Sequence, residues 1–171
     1  MSQWLAQYGE SVAGMPYSEA LKLLSIYTTG SLAGVFCSSL ALRTFLSPQM
    51  MLLGCTTVST LALAVACFFP SPTVMFGFSF IFGFAAAGGV VQLGLAMMAA
   101  QFPRARGRAT GIYYSAGSIS NFTMPLITAW IVREWSIHEI FKFDVIISGC
   151  GILLAVFIAW RSRHAQAIDL N

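Results

Sequence analysis

Charge is what this sequence has least of. Asp, Glu, Lys and Arg make up 9% of its 171 residues, against 57% hydrophobic ones. A soluble domain carries about 25% charged residues and needs polar side chains over its outer surface. An ordinary water-soluble fold is therefore excluded, and lipid is the implied solvent. Histidine is almost absent too. His138 and His164 read as solvated residues of an outer loop and an inner tail, not as metal ligands. Cys37, Cys55, Cys67 and Cys150 lie inside apolar stretches without the short paired spacing of zinc or redox sites. They are expected to be small packing residues, with no disulfide and no metal. No basic run with interleaved aromatics points to nucleic acid. The first twenty residues carry Glu10 and Glu19 and lack a basic start before an apolar core, so no cleavable signal is expected.

What is present is a series of long uncharged runs. Leu23 to Leu42 lies between Lys22 and Arg43, and Thr44 to Pro103 is uncharged throughout. The second run is too long for one crossing, and Pro70-Ser71-Pro72 divides it. Ala109 to Val132 and Val145 to Trp160 complete the set. A hydrocarbon core about 30 Å thick needs roughly 20 helical residues, and exposed backbone in lipid must be helical. The expectation is an all-α polytopic membrane protein, one membrane domain over 1–171, with five transmembrane helices near 20–42, 49–69, 74–101, 109–132 and 143–161. The last run is short, so its helix should recruit flanking residues.

Basic residues collect in cytoplasmic loops. With the first span running inward, Arg43, Arg104, Arg106, Arg108, Arg161 and Arg163 all fall on the cytoplasmic side, leaving Lys22, Arg133 and Lys142 outside. Of the acidic residues, only Asp169 falls inside. The N-terminus is thus expected to be periplasmic and the C-terminus cytoplasmic. Trp130, Trp135 and Trp160 stand near span ends, where indoles favour the headgroup level.

Helices associate in a bilayer by close packing, which small residues four apart allow. Gly30 with Gly34, Gly83 with Ala87, and Ala85 with Gly89 are such pairs, and the third span should touch neighbours on more than one side. No strand precedes these glycines, so a dinucleotide-binding loop is not expected, and no cofactor is implied. No Asp, Glu, His, Lys or Arg is expected well inside a span. The carboxylate pairs, Ser with His, or metal-binding His clusters of intramembrane enzymes cannot be assembled, so catalysis is not expected. Gln92 in the third span and Asn121 in the fourth are amides at depth that need partners or a wet cavity. Interhelical hydrogen bonding accounts for them as well as a solute path does. Tyr27, Thr28 and Thr29, and Tyr113, Tyr114, Ser115 and Ser118, can add to the same polar surface.

The run Gln101-Phe102-Pro103-Arg104-Ala105-Arg106-Gly107-Arg108-Ala109-Thr110-Gly111, leading to Gly117, Asn121 and Pro125, resembles the cytoplasmic loop between helices 10 and 11 of a major facilitator superfamily transporter. Gly14-Met15-Pro16-Tyr17-Ser18-Glu19-Ala20, leading to Tyr27-Thr28-Thr29-Gly30-Ser31-Leu32, resembles the outer loop entering helix 8. Pro70-Ser71-Pro72, Gly83-Phe84-Ala85-Ala86-Ala87-Gly88-Gly89 and Gln92-Leu93-Gly94 are similar to bacterial inner-membrane members of that family.

The resemblance implies helices 8 to 12 of a twelve-helix secondary transporter of a small organic solute, most of its carboxyl-terminal half. Substrate would bind between two halves that rock against each other. The first, third and fourth spans would face the cavity, making Tyr27, Gln92, Tyr113 and Asn121 cavity candidates, and the second and fifth would be peripheral. Arg104, Arg106 and Arg108 would serve an inner gate or anchor lipid phosphates. Family members commonly carry acidic and basic residues between helices 8 and 9, whereas Arg43-Thr44-Phe45-Leu46-Ser47-Pro48 holds one arginine and no carboxylate. The expected partners are the bilayer, the solute and an amino-terminal half, without which the chain should be inactive. The alternative is a non-transporting five-helix scaffold or accessory subunit, in which Gln92, Asn121 and Tyr27 would point at different neighbours.

Overall fold

The computed structural model describes residues 4–44 and 47–168, with side chains over 4–42 and 47–161. The side chains of Arg43, Arg163 and His164, residues 45–46 and Asp169 lie outside the described residues. The chain is an all-α polytopic membrane protein. A short helix α1 (Leu5–Ser11) precedes α2 (Tyr17–Thr44) and α3 (Pro48–Phe68). The third long rod is continuous from α4 (Pro72–Phe82) through a π-helical segment (Gly83–Val90) into α5 (Val91–Gln101). Then come α6 (Arg106–Glu134) and α7 (Ile137–Ile168).

Local chemistry sets the breaks. Gly14, at φ 67°, turns the chain between α1 and α2. Pro48 and Pro72 open α3 and α4 at first-turn positions that have no intrahelical N–H bond to lose. The Ser71 hydroxyl accepts from the Val74 N–H at 3.4 Å.

Tyr17–Leu42, Pro48–Phe68, Pro72–Gln101 and Ile137–Arg161 are long and apolar enough to cross a bilayer. At 29 residues α6 is long enough but is not among them, because its hydroxyl and amide side chains dilute its apolar character. The last helix recruits its flank further than the uncharged run required. It begins at Ile137, so Glu139, Lys142 and Asp144 ride on its first two turns. Asp144 lies about 10 Å along the helix from Ile137 at 1.5 Å per residue. Asp144 thus stands two turns inside α7, whereas the expected fifth span held it at its edge.

Backbone contact holds the centre together. A β-carbon on Gly30 would collide with the Phe80 carbonyl oxygen, one on Gly34 with that of Phe84, and one on Gly83 with that of Tyr27. On Gly88 it would lie 2.5 Å from the Ser31 carbonyl oxygen and 2.7 Å from the Gly34 Cα. The Gly30/Gly34 pair thus works as the four-residue rule anticipates. Gly83 does not pair with Ala87. In a π-helix bonds close between residues five apart, and that wider turn brings Gly88 beside Gly83 against α2. Ala85 and Gly89 face α3 instead, where a β-carbon on Gly89 would sit 2.8 Å from the Cys55 sulfur. The third rod touches neighbours on two sides, as expected.

A dense apolar core occupies one end only, beside α1. Tyr8 is fully buried, stacked on Phe141 with ring centroids 3.4 Å apart, and Leu23, Leu63, Met75 and Phe78 pack around it. Its hydroxyl donates to the Ala66 carbonyl at 3.4 Å and meets His138 Nδ1 at 3.1 Å. Burial pushes the Tyr8 phenol up to about 12. His138 is consequently no solvated loop residue, since it sits half-buried in the first turn of α7 and covers this ring.

Gly88→Leu should wedge α2 from the π-helical segment and destabilise the fold by more than the ~1–3 kcal/mol of ordinary overpacking, because backbone atoms must move. Gly149→Ala, which meets open space, should leave stability unchanged or slightly raised. Thermal unfolding in detergent checks both, and equal melting temperatures for the two variants would remove the seam from its central place.

Candidate functional site

At the other end from the Tyr8 core the helices part. Between α5 and α6 opens a groove of about 510 Å³, lined by Val91, Tyr113, Tyr114, Ala116, Gly117, Ser118, Ser120 and Asn121. Two local features of α6 place its polar groups there. A β-carbon on Gly94 of α5 would stand 2.9 Å from the Tyr113 hydroxyl, so the missing side chain leaves room for that ring to cross between helices. Once across, Tyr113 donates to the Val91 carbonyl at 2.9 Å. Further along, Pro125 stands inside α6. Lacking an N–H, it leaves the Asn121 carbonyl, its i−4 acceptor, without the usual helix bond. Asn121 therefore presents both a side-chain amide and an under-used carbonyl to one patch.

The sequence candidates divide. Tyr113 and Asn121 share the groove. Gln92 follows the lining residue Val91, is half-buried, and its amide makes no hydrogen bond among the described residues. Tyr27 is not part of this surface. Half-buried on α2, it packs 6.4 Å from the Phe82 ring, and its carbonyl meets Gly83 at the glycine seam. There α2 lies flat on the third rod. Thr28 and Thr29 bond their own helix carbonyls at 2.8 and 2.9 Å.

Arg104, Arg106 and Arg108 are exposed around the α5–α6 turn. Arg108 also edges a second concavity along α6, of about 540 Å³, with Gly111, Ile112, Ser115, Ala116 and Ile119. None makes an ion pair; the salt bridge among the described residues is Lys142 to Glu139 at 2.6 Å. No metal-binding group of three His, Cys, Asp or Glu side chains gathers among the described residues. Sequence reasoning missed Ser120 and the effect of Pro125 on Asn121, although the i+4 spacing of Asn and Pro was there to be read. It also missed Asp144, whose Oδ2 is buried and accepts no hydrogen bond.

The sequence profile of the Major Facilitator Superfamily matches residues 1–170. The chain belongs to the major facilitator superfamily. Among its curated relatives are the "Inner membrane transport protein YdiM" of Escherichia coli (strain K12), 53% identical over 163 residues, and YdiN of the same strain, 37% identical over 168. The "Uncharacterized MFS-type transporter YfkL" of Bacillus subtilis (strain 168) is 32% identical over 160 residues. These matches cover 95%, 98% and 94% of this chain but 40% of each relative. The chain therefore spans less than half the length of the transporters it matches. No solved structure gives a significant match.

In this superfamily member the Tyr113 hydroxyl makes the one side-chain hydrogen bond between α5 and α6 among the described residues. Tyr113→Phe should cost about 1 kcal/mol and loosen α6 from α5. A cross-linking pair at positions 91 and 117 should then react more slowly than in the parent chain. Unchanged cross-linking would show that α6 is held by packing alone.

Proposed function

We propose that this chain is the carboxyl-terminal portion of a secondary transporter for a small organic solute in the cytoplasmic membrane, working by alternating access with an amino-terminal half. The observation that carries the reading is the α5–α6 groove. It gathers Tyr113, Tyr114, Ser118, Ser120 and Asn121 on a helix face that the rest of the chain leaves uncovered. Unpaired amides are expensive in hydrocarbon, so such a face suits water, solute and a second protein half better than lipid. That logic also favours α6 as the fifth crossing, lining an aqueous path, with its hydroxyls on the wet side. Gln92 stands next to the lining residue Val91 without lining the groove itself, and Tyr27 does not line it either.

The asymmetric distribution of charge supports an inward C-terminus. Acidic residues stand at positions 10, 19, 134, 139 and 144, at the α1 end, and arginines at 43, 104, 106, 108, 161 and 163, at the other. By the positive-inside rule the arginine end is cytoplasmic, and the Arg104–Arg108 turn serves the inner entrance. The relatives' names speak of transport, and the proposed activity is accordingly transport without catalysis. The Tyr27 placement favours the scaffold reading at that one position, since Tyr27 points at a different neighbour from Asn121.

Two measurements test this. In vesicles, uptake from a mixed panel of small organic solutes followed by mass spectrometry should be at background for the chain alone and rise when the amino-terminal half is co-produced. Asn121→Leu should then lower uptake by at least tenfold, about 1.4 kcal/mol, while Tyr27→Phe leaves it unchanged. Uptake by the chain alone, or insensitivity to Asn121→Leu, would refute the assignment. A cysteine at position 107, in a background without the native four, should react with impermeant reagents from the cytoplasmic face only.

A further inference from the structure

Two concave strips flank the first half of α3. One, of about 480 Å³, runs between α3 and the π-helical segment, with Met51, Gly54, Val58, Phe84 and Ala85 in its walls. The other, of about 270 Å³, runs between α3 and the end of α7, with Leu53, Val156, Ala159 and Trp160. Met50 belongs to both, so the strips straddle α3 and meet at one point. From Met50 to Val58 the first strip extends about 12 Å along the helix at 1.5 Å per residue, close to half of a ~30 Å hydrocarbon core. Both strips start at the arginine end of the bundle.

Charge there has one sign. Arg161 follows Trp160 directly and is exposed, and Arg43 in the last turn of α2 and Arg163 in α7 add two more positive charges by sequence. No Asp or Glu occurs between Glu19 and Glu134, nor between Asp144 and Asp169. We infer that this surface is a binding site for one anionic diacyl phospholipid, with its two acyl chains astride α3 and its phosphate held by Arg161 at the common mouth. The two dry strips account for two chains, and the acid-free mouth accounts for a negative headgroup. Gly54 contributes by absence, because a β-carbon there would meet nothing within 4 Å, which leaves a notch in the first strip. Placement in the cytoplasmic leaflet rests on the orientation proposed above. Lipid binding itself does not, so impermeant labelling from the wrong side would move the site to the other leaflet without removing it.

The test is native mass spectrometry of the detergent-purified chain titrated with phosphatidylglycerol and with phosphatidylcholine of identical acyl chains. The parent chain should retain phosphatidylglycerol about fivefold better, the factor expected for one basic contact at a membrane surface. Arg161→Gln should reduce that preference to parity, and Gly54→Leu should lower retention of both lipids. Gly77→Leu, equally open but outside the strips, should bind like the parent and separates groove filling from a general effect of added leucine. Equal retention of the two lipids by the parent, unaltered retention by Gly54→Leu despite a parent-like melting temperature, or displacement of the lipid by the amino-terminal half would each overturn the inference.

Discussion

The close approach of α2 to the π-helical segment is the constraint from which the rest of the arrangement follows. In water, burying Leu and Phe would drive helices together; in a bilayer the lipid tails offer those side chains an equivalent environment, and that drive is lost. What remains is shape. Gly30, Gly34, Gly83 and Gly88 let two backbones meet with no side chain between them, so dispersion contacts accumulate over the seam. The π-helical turn matters because it supplies five-residue spacing on one side of a contact whose other side keeps four. With that seam fixed, Ala85 and Gly89 are turned toward α3, and the third rod becomes the hub for both neighbours.

The two ends of the hub are finished differently. Beside α1, a closed core around Tyr8 and Phe141 ties α1, α3, α4 and α7 together, and Thr60 meets Ser148 at 2.5 Å one layer deeper. A stacked, hydrogen-bonded ring is a poor place for a moving part. Toward the arginine end the contacts thin out, and α6 is joined through Tyr113 and a few packed residues such as Ala109. A body that is tight at one end and parted at the other fits the rocking of halves in the proposed transport cycle.

Most of the architecture was legible from where charge is missing. The uncharged runs marked the long helices, Pro70 and Pro72 marked the division of the longest run, and Gly30 with Gly34 announced a close contact. The failures share a cause. Uncharged runs bound the greasy part of a helix, whereas hydrogen bonding continues into the charged flank; hence His138 was assigned to a loop that is really the first turn of α7. Gly83 was paired by the α-helical period, because no residue in Gly83–Val90 signals i→i+5 bonding except the spacing of Gly83 and Gly88 themselves. For the candidate site, Tyr113 and Asn121 were readable as polar groups at depth, but Tyr27 was not separable from them. A phenol at a helix seam and a phenol in a groove look alike until the neighbouring helix is in place.

The exposed face of α6 shows why lipid alone is an unsatisfactory covering for it. Ile112, Ile119, Phe122 and Leu126 are exposed there, and hydrocarbon would suit them well. Asn121 sits among them, however, with its side chain unpaired and, because Pro125 cannot donate, its carbonyl under-bonded as well. Acyl chains have nothing to offer either group, and turning the helix to hide Asn121 would break the Tyr113 bond to Val91. A surface that mixes these apolar residues with an amide that cannot be withdrawn is complementary to another protein across a wet gap. The same mixture that keeps α6 from being a strongly apolar span thus suits the second half proposed to cover it.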